Sequence, residues 1–150
     1  MTPTAVVVSV GDELLAGRVL DTNAHWIASV LRARGVSVVR RVTVPDQRGA
    51  IAEAVRDALR RAPIVIVGGG LGPTLDDLTR DGLADAFGVP IHRDAALAEQ
   101  LAARTRARGR PVTESTLRQA DLPEGCVALE NPVGTEIGRA SCRERVLVTV

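Results

Sequence analysis

Two adjacent aspartates, Asp76 and Asp77, lie in a glycine-rich loop, GGGLGPTLDDLT, at residues 68–79. The loop follows the apolar run IVIV at residues 64–67, which is typical of a buried strand. Glycines let the backbone approach a ligand closely, and a turn from a strand into a helix gathers free N–H groups that bind anions. Because two carboxylates beside a phosphate would repel it, a divalent cation such as Mg²⁺ would have to bridge them.

The same loop carries a helix-start signal that requires no ligand. Thr74 and Asp77 have the spacing of a capping box, which predicts a helix beginning near Leu75. An acidic first turn stabilises a helix by a few tenths to about 1 kcal/mol on its own, so capping and packing are the alternative interpretation. A helix cap rarely needs two acidic residues in a row. Asp76, which precedes the capping residue Asp77, and the hydroxyl of Thr79 therefore favour a functional site over capping alone.

The elements that must position this loop alternate between strands and helices. Short apolar runs predict strands over residues 5–10, 36–44, 64–67 and 126–129. Cap signals and apolar residues at helical spacing predict helices over residues 21–35, 51–59, 75–88, 94–108 and 114–120. This alternation predicts an α/β fold in which helices cover both faces of a mostly parallel sheet.

Three of the predicted strands end at loops that carry acidic or amide side chains. Gly11, Asp12 and Glu13 follow the first strand, with Asn23 a little further on, and Asp46 follows the second. The glycine loop follows the third strand. Each of these side chains alone is typical of a solvated turn. Because ligands of parallel sheets bind beyond the carboxyl ends of the strands, the three loops together predict one shared pocket.

Composition excludes several classes of function. The chain has 150 residues, of which 45% are hydrophobic, so it can bury the core of a single domain. The formal net charge of +1 predicts no nucleic-acid or membrane partner, and no apolar run approaches the ~20 residues of a membrane span. All 19 Lys+Arg residues are arginine, which excludes a P-loop lysine and a Schiff-base lysine. We expect a cytoplasmic homo-oligomer that binds a small molecule.

Other chemically notable residues have plainer interpretations. His25 and His92 lack partners at metal-ligand spacing and are predicted to be surface or helix-cap residues. Trp26 is predicted to be a core residue or a subunit contact. Four arginines between positions 104 and 110 predict a solvated helix end, from which Arg108 or Arg110 could reach a ligand phosphate.

Several ordered segments resemble the CinA family, competence/damage-inducible protein A. They are GDELLAGRVLDTN at 11–23, Pro45-Asp46, GGLGPTLDDLT at 69–79, RGRPVTE at 108–114 and NPVGT at 131–135. The resemblance covers essentially residues 5–135. It implies a domain of the molybdopterin-binding type, similar to MogA, MoaB and the matching domain of MoeA, with a three-layer α/β/α fold.

The resemblance also implies a function. In the CinA family this domain is associated with metal-dependent ADP-ribose pyrophosphatase activity, and its relatives bind molybdopterin and transfer adenylyl groups. The first hypothesis is therefore Mg²⁺-dependent hydrolysis of a nucleoside diphosphate sugar of the ADP-ribose type. The alternatives are a pterin-nucleotide-binding or adenylyl-transfer domain and a regulatory module without catalysis.

The resemblance and the loop chemistry together predict the roles of individual residues. By motif position, Asp77 and Asp46 correspond to the two essential aspartates of MogA-like proteins and are predicted to be catalytic. Together with Asp76 they are the predicted ligands of Mg²⁺ or another divalent cation. The predicted substrate and phosphate contacts are Gly69, Gly70, Gly72, Thr74, Thr79, Gly11, Asp12, Glu13, Asn23, Asn131, Gly134 and Thr135.

Two departures from the CinA pattern bear on domain organisation. Full-length members usually continue into a linker and a nicotinamide mononucleotide amidohydrolase domain, so that activity is not assigned to these 150 residues. After residue 135 the family has a small residue, Pro and Gly, whereas this chain reads EIGRASCRERV at 136–146. That string resembles a translated sequencing adapter. We therefore expect residues 1–135 to be an incomplete domain and 136–150 a non-native tail, whose β-branched end is able to add to an open sheet edge.

Overall fold

The computed structural model describes residues 2–129, 131, 138–141 and 146–149. Strands and helices alternate through most of the chain, as the sequence predicts. In chain order they are β1 (Thr4–Val10), α1 (Asp12–Leu15), α2 (Thr22–Ala33), β2 (Ser37–Val44), α3 (Arg48–Arg61), β3 (Ile64–Gly68), α4 (Thr79–Phe87), β4 (Ile91–Arg93), α5 (Ala95–Ala107), α6 (Glu114–Arg118), β5 (Asp121–Pro123), β6 (Cys126–Leu129), β7 (Gly138–Ser141) and β8 (Val146–Thr149).

The main sheet contains six strands in the order β2-β1-β3-β8-β7-β6. β2, β1, β3 and β8 are parallel neighbours, whereas β7 runs antiparallel to β8 and β6. The register pairs Val10 with Val44 and Ser9 with Gly68, so β1, β2 and β3 end level with one another. The loops that follow these three strands therefore leave the same edge of the sheet.

Both faces of the sheet are covered by helices, which confirms the predicted three-layer arrangement. Successive side chains of β1 point to opposite faces. One face joins the valines of β1 and β3 to α3 and α4 in a core of Val6, Val8, Val10, Val65, Val67, Ile51, Val55 and Leu83. The other face packs against α2 through Val7, Ile66, Ala24 and Ile27.

The helix after the glycine loop starts later than the sequence predicts. The predicted start near Leu75 is wrong, because α4 begins only at Thr79. The Thr79 N–H donates to the carbonyl of Gly70 (3.2 Å) and the Thr79 hydroxyl to that of Gly69 (2.7 Å), which returns the chain to the strand end before the helix starts. The predicted helix ends at Gly35 and Gly88 are confirmed.

A second, two-stranded sheet was not predicted. β4 and β5 pair in antiparallel fashion, and each is only three residues long, too short to show a strand period. The α5 and α6 region has its own small core of Leu97, Leu101, Ala120 and Leu122. Within the described ranges, none of the helices has the length and apolar character needed to cross a bilayer.

Candidate functional site

The loops after β1, β2 and β3 converge on a cavity of about 560 Å³. We call it the carboxylate cavity, because its lining includes Asp12, Glu13, Asp46, Asp76 and Asp77. The backbone of the glycine loop forms the rest of its wall, together with apolar side chains that the sequence did not single out. The level ends of the three strands thus bring together the acidic residues that the sequence places far apart.

Asp12 and Asp46 hold the first two loops against each other. The N–H of Asp12 donates to Oδ2 of Asp46 (3.0 Å), and the N–H of Asp46 donates to Oδ1 of Asp12 (3.3 Å). The N–H of Gly11 also donates to the carbonyl of Val44 (3.1 Å), across the ends of β1 and β2. Each carboxylate is therefore oriented by backbone that belongs to the other loop.

The electrostatics of the cavity disfavour negative charge on Asp46. Burial is the largest effect raising the pKa of Asp46, and the N–H of Asp12 partly offsets it. The charges of Asp12, Glu13 and Asp77 raise this pKa further. No basic side chain is found among the described residues that line the cavity. A cation bound beside Asp46 would relieve this repulsion.

The turn that leaves β3 has room only for glycine at two positions. Gly69 and Gly70 have φ angles of +94° and +61°, which glycine adopts at no steric cost. A Cβ at position 69 would lie 2.1 Å from the carbonyl oxygen of Val10, and one at position 70 would lie 2.5 Å from Oγ1 of Thr79. The backbone of the loop therefore sits directly on the end of β1, beside the acidic loops.

The carboxylate of Asp77 is held by its own loop. The N–H of Thr74 donates to Oδ2 of Asp77 (2.8 Å), and the Thr74 hydroxyl donates to the same oxygen. A Cβ at Gly72 would lie 2.6 Å from this oxygen, so a larger residue there would displace it. Thr74 and Gly72 thus position Asp77, and the fully buried Thr79 supports the loop from beneath.

Several of the predicted contacts that the structure describes do not line the carboxylate cavity, among them Gly11, Gly72, Thr74 and Thr79. Asn23 lines a neighbouring cavity of about 180 Å³, which shares Val10, Glu13 and Gly69 with the carboxylate cavity. The carbonyl of Asn131 accepts a hydrogen bond from Arg104 (3.4 Å) beside α5. Gly134 and Thr135 lie outside the described residues.

A buried arginine next to the site was not predicted. Arg80 is 2% exposed and donates to the backbone carbonyl of Arg118. Burial lowers the pKa of its guanidinium, while the nearby charges of Asp81, Asp121 and Asp77 oppose this shift. It faces an adjoining cavity of about 420 Å³, also lined by Asp77. An arginine on a short helix carries no local signal of burial, so only the fold reveals it.

The interpretation of Trp26 as a core residue is wrong, because its side chain is 66% exposed on α2. The alternative, a subunit contact, stays a prediction. His25 and His92 are both exposed, which confirms their surface placement.

The site fits a divalent cation that shares its coordination with a ligand. Among the residues that the structure describes, no group of three or more His, Cys, Asp or Glu side chains forms a ready-made metal cage. Mg²⁺ in proteins is usually held by one or two carboxylates, with water and substrate phosphates completing the shell. Asp46 and Asp77 are close enough for their charges to interact, and Asp76 lines the same cavity. These carboxylates match that pattern.

Comparison with known proteins identifies the family. The family described as "Probable molybdopterin binding domain" matches residues 6–148. The chain belongs to this family. Among molybdopterin-binding domains it is similar to the crystal structure of the protein CinA from Thermoplasma acidophilum, described as having unknown function. The two share 37% sequence identity and a TM-score of 0.87 over 98% of this chain and 87% of that one.

Two further proteins resemble this molybdopterin-binding domain, one in sequence and one in fold. A CinA-like protein of Akkermansia muciniphila is 46% identical over 132 residues, which cover 88% of this chain and 32% of the relative. The molybdopterin biosynthesis enzyme MoaB of Thermus thermophilus has the same fold, with a TM-score of 0.58 at 20% identity over 97% of this chain and 79% of that one. The CinA-type, MoaB-like prediction is confirmed. The chain spans between 32% and 52% of the length of the curated relatives it matches.

Proposed function

We propose that the carboxylate cavity binds the phosphate group of a pterin nucleotide or related nucleotide together with a divalent cation. One observation carries the proposal: the glycine turn at residues 69–70 and the carboxylates of Asp46 and Asp77 line one cavity. Backbone amides suit phosphate oxygens, whereas carboxylates suit the cation that neutralises them. The family description and the likeness to MoaB, a molybdopterin biosynthesis enzyme, support a pterin as the first ligand class.

Each part of the site has a separate task in this proposal. Asp46 and Asp77 would hold the cation, which supplies positive charge against the phosphate oxygens when it is bound. Asp12 orients Asp46 through their reciprocal hydrogen bonds, and Thr74 orients Asp77. The glycine-loop backbone offers a donor, because the N–H group of Gly70, which lines the cavity, donates to no other described residue.

Hydrolysis of an ADP-ribose-type substrate is the second candidate. It is favoured by the adjoining cavity around Asn23, which shares Val10, Glu13 and Gly69 with the carboxylate cavity. A ligand of two halves joined by a diphosphate would place its phosphates at the glycine loop and extend one half toward Asn23. In that arrangement Asp12, Glu13 and Asn23 would contact the sugar or base.

Calorimetry and a product assay separate the two candidates. The chain is titrated with a molybdopterin-type pterin phosphate and with ADP-ribose, each in Mg²⁺ and in EDTA, and the ADP-ribose samples are analysed for AMP and ribose 5-phosphate. Mg²⁺-dependent pterin binding without AMP release is the expected result. Release of AMP would favour the hydrolase, and failure of both ligands to bind in Mg²⁺ would reject the proposed site.

A further inference from the structure

A second cavity adjoins the glycine loop and has the opposite charge. It measures about 200 Å³ and lies between α5, the turn that follows α5, and α6. We call it the arginine cavity, because Arg104, Arg108 and Arg110 line it. Pro73 of the glycine loop forms part of its wall and accepts a hydrogen bond from the Ser115 hydroxyl (3.1 Å), which connects this cavity to the loop.

The three guanidinium groups have no acidic partner in the part of the chain that the structure describes. Within the described ranges, no carboxylate forms a salt bridge with any of the three, and Arg104 donates only to a backbone carbonyl. Two described acids on α5 and α6 pair with other arginines: Glu99 with Arg106 (3.4 Å) and Glu114 with Arg93 (2.6 Å). Three arginines on the lining of one cavity give it a positive charge, which favours a bound anion.

The carbonyl groups at the C-terminal end of α5 are not the partners of these guanidinium groups either. Its last carbonyls already accept backbone N–H groups, because Gly109 donates to Arg106 (2.9 Å) and Arg110 donates to Thr105 (3.1 Å). Arg108 and Arg110 flank Gly109 in the turn, and both residues line the cavity. Among the described residues, the guanidinium groups of Arg108 and Arg110 are therefore available to a ligand.

The cavity wall also limits the kind of anion that fits. Pro73, Leu101 and Pro111 provide apolar surface beside the guanidinium groups. A volume of about 200 Å³ is below the roughly 300–1,000 Å³ of sites for drug-sized ligands. We propose that the arginine cavity is a second anion site, separate from the carboxylate cavity, that binds a small phosphomonoester. Its phosphate contacts Arg108 and Arg110, and its organic part lies against the prolines.

The test is calorimetric titration of the chain with ribose 5-phosphate, inorganic phosphate and ribose in EDTA, where the proposed cation site is not engaged. We expect ribose 5-phosphate to bind the wild type and to bind at least about tenfold more weakly to the Arg108→Gln/Arg110→Gln variant. The matched control is Arg106→Gln, on the same helix but outside the cavity, which should bind within about twofold of the wild type. Because EDTA removes divalent cations, this binding is measured independently of the proposed function.

The arginine Nε signals in NMR spectra give a second readout. Ribose 5-phosphate should shift the signals of Arg108 and Arg110 and leave that of Arg106 unchanged. The proposal is overturned if the wild type does not bind ribose 5-phosphate, if the double variant binds it normally, or if Arg106→Gln weakens binding as much. Equal affinity for inorganic phosphate or for ribose would overturn the assignment to a phosphomonoester.

Discussion

The carboxylate cavity and the arginine cavity adjoin one glycine loop but belong to different parts of the fold. The carboxylates lie on loops that follow β1, β2 and β3, so the register of the parallel sheet sets their positions. The arginines lie on α5 and the turn after it, outside the sheet. One cavity is thus built on strand ends and the other on a helix end.

The two cavities also differ in how their charged groups are held. Asp12, Asp46 and Asp77 each accept a hydrogen bond from a backbone N–H, which orients the carboxylates before any ligand arrives. The guanidinium groups of Arg108 and Arg110 stand on long side chains with no acidic partner among the described residues. If both proposals hold, the cation would meet preorganised carboxylates and the anion would meet adaptable arginines, and side chains held in advance lose less entropy on binding.

The largest effect is expected from Gly69→Ala in the loop that both cavities share. The new Cβ would lie 2.1 Å from the Val10 carbonyl at a φ of +94°, so we expect the free energy of unfolding to fall by roughly 2–5 kcal/mol. The matched control is Gly109→Ala in the turn of the arginine cavity. Gly109 has a φ of +68° with nothing within 4 Å, so only the conformational cost of about 1–2 kcal/mol applies. Urea unfolding measures both values, and equal losses would contradict the predicted clash.

The next effect concerns Asp77 as a cation ligand. Asp77→Asn should weaken Mg²⁺-dependent ligand binding or turnover at least about tenfold, because asparagine lacks the charge that holds the cation. The melting temperature should change little, since the amide oxygen can still accept from Thr74. Glu53→Gln, an exposed position on α3, is the charge-matched control. Wild-type metal dependence in Asp77→Asn would show that Asp77 is not a ligand.

A smaller effect is expected from the charge of Asp46. Its folded-state pKa is raised above the ordinary value of 3.8, so the ionised carboxylate lowers stability at pH values above that raised pKa. Asp46→Asn should therefore raise the melting temperature at pH 7. The gain should shrink as the pH falls through the raised pKa and disappear below 3.8, because the wild-type carboxyl is then protonated in both states.

Asp57→Asn provides a comparison of opposite sign for Asp46. The hydrogen bond from Arg61 lowers the pKa of the Asp57 carboxyl, so removing the charge should lower the melting temperature at pH 7. Thermal scans in Mg²⁺-free buffer at several pH values measure both variants. A loss of stability in Asp46→Asn at pH 7 would contradict the electrostatic account of the carboxylate cavity.

The smallest effect is expected from Arg106→Gln. This substitution removes an exposed ion pair with Glu99, whose charged atoms are 3.4 Å apart. Exposed ion pairs contribute little, so the free energy of unfolding should change by less than about 0.5 kcal/mol. Urea unfolding checks this value. A larger loss would mean that the end of α5 depends on the pair, and Arg106 would then be a poor control for the arginine cavity.

Local patterns were enough to predict the frame of this domain. Apolar runs and helical spacing predicted β1, β2, β3, β6 and the main helices, because these periods are local properties of the chain. The same patterns placed Asp12, Asp46 and the glycine loop after successive strands. Because parallel strands end at one edge of a sheet, the sequence also predicted that these loops meet.

Tertiary contacts decided what the local patterns could not. The capping-box spacing of Thr74 and Asp77 predicted a helix, but the bonds from Thr79 to the strand end delay it, and the pair orients a carboxylate instead. The reciprocal bonds between Asp12 and Asp46 join residues that are 34 positions apart. The burial of Arg80 depends in the same way on contacts with α6. The types and order of the residues are therefore enough to place chemical groups at a sheet edge, whereas their orientation and protonation depend on distant parts of the chain that fold against them.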